Sequence, residues 1–221
     1  MARLARITVP GFPHLVTQRG NRRDTVFFSD EDYQAYLDLL NSALVRSESE
    51  VWAWCLLPDH VHLIVVPSHA DGLRQLFADA HRRYASRINR RNRWTGHLWQ
   101  GRYGAVVLDA AHLIDAIAYI SLNPVRAGLV KRPQDWKWSS VRAHLAGEDD
   151  AVTRVAPVLS RLPDFAGFLK QIRDDAEFEA LRRSESVGRP LGDPAFLEDL
   201  ENRLGRRLRP QKRGPKPKDR G

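Results

Sequence analysis

Two apolar runs separated by two residues constrain this chain more than any other feature. Residues 51–57 and 60–66 are rich in Val, Leu and Ile, and only Pro58-Asp59 lies between them. A gap that short joins antiparallel neighbours, so the pattern predicts a β-hairpin. Side chains alternate between the two faces of a strand. Val61, Leu63 and Val65 therefore share one face, while His60 and His62 share the other. An apolar strand that spends two same-face positions on His needs a reason. Two imidazoles so placed, roughly 7 Å apart by strand rise, can share a metal ion or a phosphate.

The flanking segments extend this hairpin into a fold. Residues 12–18 read as a first strand, and residues 19–24 as a polar, basic loop. Ser29 is placed to cap a helix whose first turn carries Asp30, Glu31 and Asp32 at the positive end of its dipole. Tyr33, Tyr36, Leu37, Leu40 and Leu44 then recur at helical spacing to about residue 46. In the hairpin's first strand, Trp52 and Trp54 are expected on one face. Asp71-Gly72 opens a second helix to about residue 92, with arginines opposite its apolar stripe. Residues 98–108 read as a fourth strand. Asp109 caps a third helix over 110–122, which Asn123-Pro124 is expected to end. The order β-α-β-β-α-β-α predicts an α+β, ferredoxin-like layout: a four-stranded antiparallel sheet with two helices on one face and the third helix near the sheet.

Beyond residue 128 come a short helix ending near 147, a polar linker over 148–163, a helix over 165–183 and a small helix over 194–204. The expected division is a core at 1–147, a helical extension at 148–204 and a basic, flexible tail at 205–221.

Charge is unevenly placed. The formal net charge is +8, but residues 205–221 hold eight Lys or Arg against one Asp, leaving +1 for the remainder. Residues 82–102 contain seven arginines and no acid. Such clusters suit a polyanion. The single Cys55 cannot form an intramolecular disulfide, which points to a reducing, cytoplasmic setting. The first residues lack the apolar stretch of a signal peptide, and no apolar run approaches a membrane span.

Tyr119 and Asn123 stand at i and i+4 on the third helix, so they share one face. A His pair and an amide can hold a divalent cation that polarises a phosphodiester. A Tyr hydroxyl beside them is an oxygen nucleophile, though a weak one at its ordinary pKa of about 10. A phosphotyrosine product keeps the energy of the phosphodiester, which suits strand transfer better than hydrolysis.

Residues 58–65, Pro-Asp-His-Val-His-Leu-Ile-Val, resemble the HUH motif of single-tyrosine transposases. Residues 118–130 resemble the catalytic-helix segment of their REP-associated branch, and residues 17–22, 96–103, 138–140 and 188–192 also match that branch. The resemblance implies a single-stranded DNA endonuclease and strand-transferase that acts on palindromic repeats folded into hairpins. It implies Mg²⁺ or Mn²⁺ and a 5′-phosphotyrosine intermediate. Carried over by position, it implies Tyr119 as nucleophile, His60 and His62 as metal ligands, and Asn123 as the third ligand. Related insertion-sequence enzymes have Gln where this chain has the shorter Asn123.

For DNA contact the expected residues are Arg19, Asn21, Arg22, Arg83, Arg87, Arg102, Tyr103 and, in the tail, Arg213. Arginines pair with phosphates and Tyr stacks on unpaired bases. The tail resembles a minor-groove hook for a hairpin stem. A nucleoid-associated monomer is expected, with its extension over the surface that related enzymes use to dimerise, and with no membrane partner or small-molecule cofactor. Two rival readings remain: a repeat-binding protein without chemistry, and an RNA-binding protein on the same sheet scaffold.

Overall fold

The hairpin forms between β2 (Ser49–Leu57) and β3 (His60–Pro67), with Leu57 opposite His60 and Cys55 opposite His62. The structure, a computed structural model, describes residues 6–171 and 175–208. Arg213 and most of the basic tail lie outside the described residues. β1 (His14–Arg19) pairs antiparallel with β3 on one side and with β4 (Gly104–Val107) on the other. The resulting order, β2-β3-β1-β4, is that of a ferredoxin-like sheet.

Alternation along the strands builds two cores. Val61, Leu63 and Val65 face α1 (Asp30–Ser47) and α2 (Gly72–Asn92), whose Tyr36, Leu40, Leu73, Phe77 and Tyr84 are buried there. Leu15, Cys55 and Ile64 face the opposite way, against α3 (Ala110–Arg126). The third helix is thus the floor of a second apolar layer rather than a neighbour of the first two. Beyond the short helices α4 (Val141–Ala146) and α5 (Ala156–Leu159), two further pieces complete that layer, α6 (Phe165–Lys170) and α7 (Glu179–Val187).

Several expected boundaries move, each for a local reason. A register shift between Val51 and Ala53 makes Trp52 a bulge residue, so Trp52 packs on the α3 side and Trp54 on the α1/α2 side. Within the expected fourth strand only Gly104–Val107 forms a continuous strand; Trp99 and Leu108 make isolated bridges, to Gly20 and Leu191. Gly101 sits at φ 65°, which breaks the extended run before it. Pro124 lies inside α3, in its last turn, where a proline forfeits one backbone hydrogen bond. The helix stops instead at Gly128, whose φ of 69° is the left-handed turn that follows many helices. The helix expected over 165–183 is divided: α6 ends as Gln171 turns extended, and a 3-10 turn at Asp175–Phe178 precedes α7.

Capping also differs in detail. Asp109 caps α3 as expected, its Oδ1 accepting from the His112 amide at 2.9 Å. Ser29 makes no capping hydrogen bond to the backbone of α1. Asp32 does the work there: it is fully buried, accepts from the Phe28 amide at 3.0 Å, and takes a bidentate pair from Arg91 at 2.6 and 2.8 Å. That pair ties α1 to α2. Arg91→Ala strands a buried carboxylate and is expected to cost about 3 kcal/mol, read as a lower urea midpoint at unchanged slope.

Other segments of the chain bond to the β2 edge and to the end of the β4 edge. The Leu191 amide donates to the Val107 carbonyl and the Leu191 carbonyl accepts from Asp109 along β4. Leu56 and Ser140 bond to Trp138 and Trp54 along β2, and Arg154 donates to the Val51 carbonyl.

Candidate active site

The strand period and the helix period meet at one place. β3 turns His60 and His62 toward α3, and their ring centroids lie 4.9 Å apart in a T-shaped arrangement. α3 crosses below and sets the Tyr119 ring 5.2 Å from that of His62, again edge to face. Asn123 follows one helical turn later and is buried. The four residues expected to carry the chemistry thus come from β3 and α3.

Each imidazole is tied through Nδ1. His60 Nδ1 lies 2.5 Å from Asp59 Oδ1. His62 Nδ1 lies 3.1 Å from Thr17 Oγ1 and 3.2 Å from Glu185 Oε1. Thr17 itself donates to Glu185 Oε1 at 2.8 Å. His62 is fully buried, and among the described residues its Nε2 has no hydrogen-bond partner; nor has the buried Nδ2 of Asn123. Orphaned polar atoms in an interior normally await a ligand, ion or water.

Burial moves the titrations. It lowers His60 to about 4 against the opposing pull of Asp59, so the ring is neutral at neutral pH. Burial alone would raise Glu185 and Asp59. Glu185 is nevertheless held below the usual carboxylate range by His62, Thr17 and Arg19, and Asp59 by its bond to His60 and by Arg19. The Tyr119 hydroxyl is pushed up by burial and by the Glu185 charge, which outweigh Arg126, Arg19 and Arg182. Only 3% of Tyr119 is exposed. The Phe178 ring lies 5.4 Å away and the Arg126 guanidinium sits 4.9 Å from the Tyr119 ring centre.

These features fit a divalent cation. The imidazole is neutral at His60, and Nδ1 of each ring lies against a carboxylate oxygen, the surroundings usual for metal-binding histidines. Among the described residues no group of three or more His, Cys, Asp or Glu is placed to hold a metal. The set therefore depends on the Asn123 amide as third ligand.

The expected DNA-contact residues separate into groups. Arg19 and Arg102 line a cavity of about 500 Å³ beside the His pair, with Arg23, Gln100 and Arg182. Arg22 is exposed on the 3-10 turn Asn21–Arg23, where Asn21 is half-buried. Arg83 and Arg87 line a separate groove of about 690 Å³ between α1 and α2, on the other side of the sheet from His62. Tyr103 is a correction. Its ring is buried against Phe77 at 4.9 Å and under Arg6 at 3.8 Å, so neither face is open to a base. Thr17, Arg126, Phe178 and Glu185 were absent from the expected site. Thr17 belongs to a quoted motif, but nothing local marks Glu185.

Among the described residues no helix is long and apolar enough to cross a membrane. A REP-associated tyrosine transposase of Escherichia coli K12 is 29% identical over 98 residues, which cover 44% of this chain and 57% of that protein. The chain thus matches little more than half the length of this relative. A solved structure of a REP-associated tyrosine transposase bound to a REP hairpin superposes with a TM-score of 0.58 at 22% identity, covering 70% of this chain and 92% of that one. That likeness shows the shared fold. The model of the family described as "Transposase IS200 like" matches residues 12–123, half of the chain, and spans β1 to Asn123 with all four residues of the candidate centre. The chain belongs to the IS200-like transposase family.

Proposed function

We propose that this protein is a metal-dependent single-stranded DNA endonuclease and strand-transferase that acts on palindromic repeat hairpins through a 5′-phosphotyrosine intermediate. The observation that carries this reading is the Tyr119 ring against His62, with His62 Nε2 and Asn123 Nδ2 buried and without hydrogen-bond partners among the described residues. Tyr119 Oη attacks the scissile phosphorus, and the bond from phosphorus to the 3′-oxygen breaks. The 5′-side strand leaves with a free 3′-hydroxyl, and the phosphate stays on Tyr119. Attack by a 3′-hydroxyl reverses the step and joins strands. His60, His62 and Asn123 would hold Mg²⁺ or Mn²⁺, which polarises the phosphodiester and neutralises charge that develops in the transition state. Arg19, Arg23 and Arg102 line the adjoining cavity and would hold flanking phosphates. Arg83, Arg87, Asn21 and Arg22 remain candidate contacts for other parts of the DNA.

One observation favours a second reading, a hairpin-binding protein without chemistry: Tyr119 is almost fully covered. In the catalytic reading that cover, Phe178 with Arg126, moves aside when DNA binds. Hairpin binding across a salt series tests the DNA-binding part. Arg102→Ala is expected to weaken binding and reduce the salt slope by about one. An unchanged slope removes Arg102 from the phosphate contacts.

The partly covered sheet edges support a monomer, because among the described residues β2 and the end of β4 are already bonded to other segments of the chain. Light scattering is expected to give the monomer mass with and without hairpin. A dimer mass would overturn the monomer.

A further inference from the structure

We propose that Glu185, on a helix beyond the family-matched segment, is a positioning residue that sets the tautomer of His62 and thereby presents its Nε2 lone pair to the site. The inference rests on the metal-site reading above and assigns it a residue from the C-terminal helices.

The argument is one of donors and acceptors. A neutral imidazole has one N–H and one lone pair, and a neighbour that bonds one nitrogen decides which is which. Glu185 Oε1 accepts the Thr17 hydroxyl proton, and a carboxylate oxygen in that role has no proton to offer His62. Oε1 lies 2.8 Å from Thr17 Oγ1 and 3.2 Å from His62 Nδ1. Thr17 must spend its single hydroxyl proton on Glu185, which leaves only a lone pair to face His62 at 3.1 Å. Direct and relayed contacts therefore demand the same thing: the proton sits on His62 Nδ1. Nε2 then carries the lone pair, in the buried position where none of the described residues hydrogen-bonds it. Without Glu185 the Thr17 hydroxyl is free to turn and donate to Nδ1. The ring proton would then move to Nε2 and block it as a ligand.

The backbone is arranged to let Glu185 reach this far. Gly104, opposite Thr17 on the neighbouring strand, has the Glu185 carbonyl where a Cβ would stand 3.1 Å from it. Even a methyl group there presses on α7, and a branched side chain has to displace it. Glu185 also lies 3.8 Å from Arg19, which lines the adjoining cavity. One carboxylate thus ties the placing of His62 to the arginine-lined cavity beside it.

The test reads the tautomer directly, in metal-free protein, by long-range ¹H–¹⁵N NMR of His62. Wild type is expected to show the Nδ1–H form. Glu185→Leu is expected to shift His62 toward Nε2–H and to lower Mn²⁺ affinity by about 10- to 100-fold in calorimetry. Glu185→Gln keeps an acceptor oxygen and is expected to fall between them; it also serves if the Leu variant does not fold. Gly104→Val, which leaves Glu185 in the chain but displaces α7, is expected to mimic Glu185→Leu. An Nε2–H tautomer in wild type, or an unchanged tautomer in folded Glu185 variants, overturns the proposal. Should wild type bind no Mn²⁺, the metal reading fails on its own, while the tautomer result still decides the role of Glu185.

Discussion

The double variant His60→Ala, His62→Ala is expected to lose Mn²⁺ binding below detection and to cut hairpin DNA at least about a hundredfold more slowly, the scale of losing one group that stabilises transition-state charge. The two rings face each other at 4.9 Å and stand beside Tyr119, so both act on one point. Their loss leaves only the Asn123 amide, too weak a donor to hold a divalent ion alone. Hairpin affinity is expected to stay within a few-fold of wild type, since the cationic cavity formed by Arg19, Arg23 and Arg102 is untouched. Because His62 is fully buried, the variant must first pass a folding check by circular dichroism. Calorimetric Mn²⁺ binding at wild-type strength would remove the His pair as ligands.

The second large effect is acid destabilisation. His14 and His81 are buried and neutral, with burial lowering them from 6.5 to about 4 and about 3. The geometry explains why neither ring accepts a proton. His14 donates from Nδ1 to the Phe12 carbonyl at 2.7 Å and accepts the Val9 amide on Nε2 at 3.1 Å, so a second N–H would face a donor. His81 Nε2 pairs with the buried Tyr36 hydroxyl at 3.0 Å. A folded-state value below the unfolded one means that the unfolded chain takes up protons first as pH falls. The contribution is therefore complete above about pH 6.5 and is lost between 6.5 and about 4 for His14, and on to about 3 for His81. Each group costs about 1.4 kcal/mol per pH unit in that window. Unfolding free energy from urea titrations is expected to be about 4 kcal/mol lower at pH 5 than at pH 7.5. His60 and His144 shift in the same direction and add to the loss. A flat profile from pH 7.5 to 5 would contradict the burial of these rings.

Much of the fold was legible because strand and helix periods are written locally. The alternation of Val61, Leu63 and Val65 against His60 and His62 predicted correctly which residues enter the core. The i, i+4 spacing of Tyr119 and Asn123 predicted a shared helical face, even though Pro124 proved to lie inside the helix. What stayed hidden was non-local or depended on one residue of register. The bulge at Trp52 reverses a face without any marked change in composition. Tyr103 looked available for stacking because a four-residue strand was read as eleven, which hid its turn into the Phe77 core. Glu185 meets Thr17 across 168 positions, a distance at which no sequence period carries information. It lies in a helix with no motif of its own, so only packing reveals it.

The central claim is covalent chemistry at Tyr119, and a denaturing gel tests it most directly. The protein would be incubated with Mn²⁺ and labelled single-stranded hairpins from palindromic repeats with varied flanks, and the linked peptide mapped by mass spectrometry. The account predicts a protein–DNA adduct on Tyr119, lost with a chelator and in Tyr119→Phe, while Tyr119→Phe still binds the hairpin. Tight hairpin binding without any adduct across those flanks, or an adduct that survives Tyr119→Phe, would contradict it.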